Sequence, residues 1–290
     1  MSITRINTNT QALLAGSYLA KTEYQLSKTM ARLSSGLRIN TGADDPSGVA
    51  LAKGFTAQIG GTQMAIQNAQ DALSIMQLAD AAMNSAMDIM LRMRDIAVKA
   101  ASDVTVTTAQ RKSMEQEYIS LKTEFQRRKS QTTFNSKTLF SGAMSGRQVQ
   151  IGPNNGTSNR MSIRVPVLSV GGIGAPGATV GRSLLIAHVS GNTGTRAQSA
   201  IQYIQSCINN LADLQSAVGV QEAGLQRIID DLSSANVNMN AARSRIQDAD
   251  MAAEVSEFAR AQVISQSATA MIAQANAQPQ TVMKLLGIAG

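Results

Sequence analysis

Residues 201–246 read IQYIQSCINNLADLQSAVGVQEAGLQRIIDDLSSANVNMNAARSRI. Within them, Ile201, Ile204, Ile208, Leu211, Gln215, Val218, Glu222, Leu225, Ile229, Leu232, Asn236, Met239, Arg243 and Ile246 follow steps of three and four, and ten of these 14 are apolar. A repeat of about 3.5 residues kept over this distance lays the apolar side chains along one seam of a helix, as in a coiled coil. About 40 helical residues extend about 60 Å at 1.5 Å rise per residue. A rod of that length cannot bury its own seam. It requires a second long helix, a shorter one, or another chain.

The first half of the chain supplies a second seam: Ala69, Leu73, Met76, Asp80, Met83, Met87, Met90, Arg94 and Ala97 step in the same way. Helix punctuation agrees. No Gly or Pro occurs from Thr62 to Ser141, whereas 142–194 holds 11 Gly and three of the five Pro, so two helix-permissive flanks enclose a loop-rich middle. A further helix is expected from about Ala109 to Arg128, with Met114, Tyr118, Leu121 and Phe125 on one side and a Thr or Ser cap after the β-branched run Val104–Thr108. In the middle, Val149 and Ile151 alternate with Gln, Pro153-Asn154-Asn155-Gly156 has turn chemistry, and Met161, Ile163 and Val165 alternate again, which predicts a hairpin. Leu184–Val189 is a candidate strand. The fold class is mainly α: a long antiparallel coiled-coil-like helix bundle, a rod, with a small β-hairpin and loop insertion in the middle of the chain.

Both ends carry thinner stripes. Leu19, Leu26, Met30, Leu33 and Leu37 share a face near the start; Phe258, Val263, Ile264, Met271, Ile272, Val282, Leu285 and Leu286 mark the end. Surrounded by Ala, Gln, Ser and Thr, they bury too little alone to offset ordering entropy. Both ends are therefore expected to order on assembly. Leu26, Met30, Leu33, Leu37, Met271, Ile272, Leu285 and Leu286 are the candidate subunit-packing residues.

Composition removes other functions. One Cys permits no internal disulfide, one His leaves few metal sites or triads, and 3% aromatics argue against a stacking surface for single strands. No apolar run reaches the 18 residues of a membrane span, and the first residues lack the pattern of a cleavable secretory signal. The net charge of +7 suggests nucleic acid until it is located. From Phe125 to Ala212 there is no acidic residue and nine basic ones, so the remainder of the chain is at −2. Apart from Arg127-Arg128-Lys129 these cations are scattered singly, without the clustering expected of a nucleic-acid face. Arg147, Arg160, Arg164 and Arg182 form a candidate basic surface instead.

Isolated motifs lack their context. Gly172, Gly174 and Gly177 fit G-x-G-x-x-G, but Pro176 interrupts the pattern and no acidic residue follows about 20 positions on. Asp44-Asp45 before Pro46 reads as a bend and helix cap. Cys207 and His188 read as structural, and the six methionines from Met64 to Met93 as packing. Asn155-Gly156-Thr157 is a sequon at an expected turn tip. No titratable pair has catalytic spacing, so no enzyme and no cofactor are expected.

Several motifs in order then resemble bacterial flagellin: Leu33-Ser34-Ser35-Gly36-Leu37-Arg38-Ile39-Asn40, Asn68-Ala69-Gln70-Asp71, Leu91-Arg92-Met93-Arg94-Asp95-Ile96-Ala97-Val98, Thr133-Phe134-Asn135, Asn240-Ala241-Ala242-Arg243-Ser244-Arg245-Ile246-Gln247-Asp248-Ala249-Asp250, and Ala273–Pro279. The resemblance spans roughly 1–165 and 196–290. It implies a structural subunit that polymerises into the flagellar filament for motility, outside the cell, after export without a cleavable signal. It implies the copies themselves, an export chaperone, a cap protein and hook-associated proteins as partners, with no nucleic acid and no membrane insertion. It implies an N-terminal inner-core helix at 1–42, rod helices at 43–141, the hairpin and basic insertion at 142–195, a C-terminal rod helix at 196–250 and an inner-core helix at 251–290. The vertebrate Toll-like flagellin receptor reads many flagellins at the stretch matching Leu91–Val98, which implies contacts at Arg92, Ile96 and Glu117. The alternatives are a hook–filament junction protein, or a filament whose basic outer surface adheres to anionic surfaces.

Overall fold

The structure, a computed structural model, describes residues 8–142, 144–168 and 195–285, with the side chains of 195–196 and 278–285 outside the description. Five helices dominate: α1 (Thr10–Ser35), α2 (Pro46–Ala100), α3 (Thr108–Gln131), α4 (Thr195–Gln247) and α5 (Met251–Leu285). Among the described residues between α3 and α4 lie four short strands, β1 (Thr133–Phe134), β2 (Lys137–Thr138), β3 (Arg147–Gln150) and β4 (Arg160–Ile163), paired as two antiparallel hairpins. The chain divides into two compact units, one of 1–57 with 238–290 and one of 58–237.

The helix ends follow local chemistry. Asn9 caps α1 by accepting from the Ala12 amide at 3.1 Å, and Gly36 ends it at φ 71°, a left-handed conformation that a side chain disfavours. Asp45 accepts from the Ser47 amide at 3.1 Å where α2 begins, as the Asp44-Asp45 reading anticipates. Asp44 instead holds the bend: its carboxylate accepts from the Asn40 and Thr41 amides and pairs with Lys28 at 2.7 Å. Thr107 and Gln110 close a capping box at the start of α3, one residue before the expected boundary.

In the first unit α1 and α5 run antiparallel. Asn9 bonds the Ala275 carbonyl at 2.8 Å, Gln25 reaches Glu257 at 3.3 Å, and Arg32 pairs with Glu254 at 3.2 Å. The chain expected to order only on assembly thus finds its first partner in its own other end. The seam is nevertheless thin: its buried members are the small residues Thr29 and Ala261.

The second unit holds the core. Along α2 the buried residues are Thr62, Ala65, Ala69, Ala72, Met76, Ala79, Met83, Ala86, Met90, Met93, Ala97 and Ala100, alternating steps of three and four throughout. Of the expected seam, Ala69, Met76, Met83, Met90 and Ala97 are buried, Leu73 and Met87 are half-buried and packed against the core, Asp80 is half-buried, and Arg94 is exposed. Ile75, Ile89 and Ile96 are buried as well. The stripe is wider than a two-helix seam because α2 packs against both α3 and α4: Met90 and Met93 share a small void with Phe125 of α3 and with Ile204 and Cys207 of α4. Along α4 the full burial of Ile204, Leu211, Val218 and Leu225 recurs every seven residues. Residues 80 and 84 of α2 meet 215 of α4, while residues 63–70 line a groove with 233–237, so the two helices are antiparallel.

The hairpin β3–β4 forms near its expected place, pairing Val149 with Met161 and Arg147 with Ile163. Its tip lies against α2: a Cβ on Gly61 would stand 2.7 Å from the Pro153 Cβ and 3.1 Å from its Cα, so glycine is required there, and Asn68 bonds the Gln150 carbonyl at 3.2 Å. The β1–β2 hairpin was not anticipated. Asn135 and Ser136 turn it with φ of 46° and 63°, the positive values of a tight two-residue turn. The candidate strand Leu184–Val189 and the loop Gly171–Gly177 fall outside the described residues.

Arg111, at 3% exposure, closes the junction of α2 and α3. Its guanidinium donates to the Ala100 and Ser102 carbonyls, each at 3.0 Å, and pairs with Asp103, satisfying acceptors that the end of α2 leaves open. An Arg111→Met variant is expected to lose about 2–4 kcal/mol, since buried carbonyls are left unpaired. The urea midpoint should fall with the slope unchanged.

Candidate functional site

The candidate functional residues of this chain are those it exposes to other molecules. Among the described residues no group of three potential metal ligands exists, and no helix is long and apolar enough to cross a membrane. Cys207 is buried, which pushes its thiol up to about 11 and keeps it protonated and unreactive. His188 lies outside the described residues.

The helix pair α1–α5 exposes apolar side chains that a self-sufficient protein would cover. Leu13 is 80% exposed, Tyr24 73%, Met271 64% and Val263 62%; Leu14, Tyr18, Met30, Val255 and Ile264 are also open. Of the candidate packing residues, Leu26, Leu33 and Ile272 are half-buried on the α1–α5 pair, Leu37 is half-buried just past α1 in an antiparallel bridge with Asp248, and Met30 and Met271 are exposed. The Leu285 side chain and Leu286 lie outside the description.

The candidate receptor residues separate. Arg92 of α2 and Glu117 of α3 are both exposed and form a two-pronged ion pair, with Nε and Nη2 donating to one carboxylate oxygen at 3.0 and 2.7 Å. Ile96 is 4% exposed and faces the core. It stands seven residues after Ile89, another buried position, so its heptad place and not its neighbour Arg92 decides its orientation. Leu91 and Val98 are exposed nearby.

Arg147, Arg160 and Arg164 are exposed, consistent with a basic surface; Arg182 lies outside the described residues. Arg160 is not free there, since it donates to Asn155 Oδ1 at 2.9 Å and to Gln150 Oε1 at 3.4 Å. The run at Arg127-Arg128 is partly neutralised within α3: both guanidinia bond Glu124, holding its carboxyl down at about 2.

Sequence reasoning missed a polar layer inside the α2–α4 seam. Gln215 donates to Asp80 at 2.9 Å and to Asn84 at 2.7 Å, and Asn84 donates to Asp80 at 3.0 Å. One turn of the repeat further on, Glu222 buries a carboxylate oxygen that has no partner. Burial first, and the nearby Asp80 charge second, raise its pKa. The signal was present as breaks at Asp80, Gln215 and Glu222 in the two seams.

These features define a class, a structural building block: one unit is a helical core crossed by polar bonds, and the other is a helix pair that leaves apolar side chains uncovered. Residues 6–145 match the family model for the bacterial flagellin N-terminal helical region, and residues 201–286 match that for the C-terminal helical region. A flagellin of Halalkalibacterium halodurans is 34% identical over 97% of this chain and 99% of its own length, and one of Bacillus subtilis is 32% identical over the same shares. Among solved structures, a chain described as a flagellar hook-associated protein from Vibrio parahaemolyticus aligns with TM-score 0.59 at 15% identity, over 71% of this chain and 100% of that one, a likeness of fold alone. The chain belongs to the flagellin family. It is a structural subunit of the bacterial flagellar filament, assembled from copies of itself, and not an enzyme.

The raised pKa of Glu222 fixes a sign. The folded chain holds this proton more tightly than the unfolded one, so the contribution is favourable at low pH and declines as pH rises above the ordinary carboxyl value of about 4.3. Glu222→Gln is expected to raise the melting temperature at neutral pH, with the gain shrinking toward zero in acid. Thermal melts across the pH range check it.

Proposed function

We propose that α1 and α5 are the assembly elements and that their exposed apolar side chains become buried between subunits. The observation carrying this reading is that Leu13, Tyr24, Val263 and Met271 remain more than 60% exposed although both helices are already paired. Fully burying one such side chain contributes about 1.5–3 kcal/mol. A few per subunit, repeated at every contact, suffice to hold a polymer. The family relationship suggests the layering: 1–42 and 251–290 line the inside, 43–141 and 196–250 form the rod, and 142–195 lies outermost. Export without a cleavable signal, escort by a chaperone on the C-terminal helices, a cap at the growing end and junction to hook-associated proteins belong to the same proposal.

The test is deletion of residues 256–290. Half of the α1–α5 pair is removed while the buried core of the second unit stays whole. The truncated chain is expected to remain folded and monomeric by light scattering. Filaments of that protein in electron micrographs would defeat the mechanism.

For the Toll-like receptor, the reading narrows to Arg92 and Glu117. A receptor that pairs with either must open the ion pair between them, which is cheap at this exposure, since surface pairs are worth about 0–1 kcal/mol. Arg92→Ala is expected to lower reporter-cell signalling strongly with an unchanged melting temperature, whereas Ile96→Val should alter signalling little. Equal signals from wild type and Arg92→Ala would remove the assignment.

A further inference from the structure

The tip of the β3–β4 hairpin carries a reactive sequence. Asn155 is the one asparagine of the chain followed by glycine. It is exposed, and Gly156 offers its backbone nitrogen without a Cβ to hinder it and with no hydrogen bond on that nitrogen among the described residues. The amide carbonyl oxygen of Asn155 accepts from the Arg160 guanidinium at 2.9 Å. Arginine only donates, so the oxygen of the amide is the atom it faces. The guanidinium is itself held: Arg160 Nε donates to Gln150 Oε1 at 3.4 Å, and Gln150 Nε2 donates to the Gly152 and Asn154 carbonyls, each at 2.8 Å. A fixed cation thus stands where charge develops when the side-chain carbonyl is attacked.

We propose that Asn155 is a site of self-catalysed deamidation, with Arg160 as the group that stabilises the reacting amide oxygen. The Gly156 nitrogen gives up its proton to hydroxide and attacks Asn155 Cγ. A C–N bond forms and the carbonyl electron pair moves onto Oδ1, facing Arg160. Collapse breaks the Cγ–Nδ2 bond, and the nitrogen leaves as ammonia with a proton from water. Water then opens the five-membered imide at either carbonyl, giving aspartate or isoaspartate. No oxidant or reductant is needed. Each event replaces a neutral tip with a carboxylate beside Arg160 and cancels one unit of basic charge; the isoaspartate form also adds a backbone carbon to a turn packed against Gly61.

The experiment incubates the purified full-length chain at mildly alkaline pH and follows each asparagine by peptide-mapping mass spectrometry, with enzymatic methylation reporting isoaspartate. Asn155 is expected to convert faster than every other asparagine. Arg160→Ala should slow it by roughly tenfold, less than the roughly hundredfold of an enclosed oxyanion donor because this one is wet, and Arg160→Lys should fall between. Gly156→Ala should slow it as well; its added Cβ would meet only Asn159 Nδ2 at 3.4 Å and Ser158 Oγ at 3.8 Å, so the turn tolerates it. Conversion in Arg160→Ala at the wild-type rate or faster, or another asparagine leading, overturns the proposal.

Discussion

Burial at alternating steps of three and four along α2, from Thr62 to Ala100, sets the terms for the second unit. Alanine occupies many of these places, and its small side chain allows neighbouring helices to come close while larger residues interleave: Met76, Met83 and Met90 on α2, Leu211, Val218 and Leu225 on α4, Tyr118 and Phe125 on α3. The unbranched Met side chains adapt to gaps that branched ones would leave. Apolar packing of this sort is not directional, so it holds helices together without deciding which residues face each other.

Register comes from the polar members of the same interfaces. Asp80, Asn84 and Gln215, half-buried or exposed along the seam, bond one another only when that turn of α2 faces that turn of α4; a slip of one repeat would lose these bonds. Arg111 does the same at the α2–α3 junction, where its bonds are made only if α3 enters at the right depth. Among the described residues of this unit, Glu222 Oε1 and the Tyr118 hydroxyl are exceptions, buried atoms without a hydrogen-bond partner. The helix pair α1–α5 stands at the other extreme, with little burial, one Arg32–Glu254 bridge and long apolar side chains facing water. The chain puts its stability into the rod and its unmet apolar surface into the ends, the division a polymerising subunit needs.

The α4 seam was legible because its buried positions are large: Ile204, Leu211, Val218 and Leu225 announce themselves at intervals of seven. The full width of the α2 stripe was not legible because Ala72, Ala79 and Ala86 are buried yet carry little hydrophobic signal; how much of the helix is buried depends on α3 as well as α4, and that second neighbour is invisible in one helix's pattern. Arg111 was missed because an isolated cation reads as solvated, and its burial comes from carbonyls up to 11 residues away in sequence. Resemblance placed Ile96 beside Arg92 as a contact, and the structure buries it at 4% exposure, seven residues after the buried Ile89. The family assignment rested on motifs in order and needed none of these details.

The repeat in α2 and α4 also limits how the length of such a chain can vary. One residue added within 62–100 or 197–225 would turn everything beyond it by about 100° around the helix axis and carry the buried row into solvent. Adding seven residues to α2 and seven to α4 opposite them would restore the pattern and lengthen the rod by about 10 Å. Gain or loss of chain in the packed region is therefore quantised and must occur in pairs, so a change in one helix is viable only with a matching change more than 100 residues away.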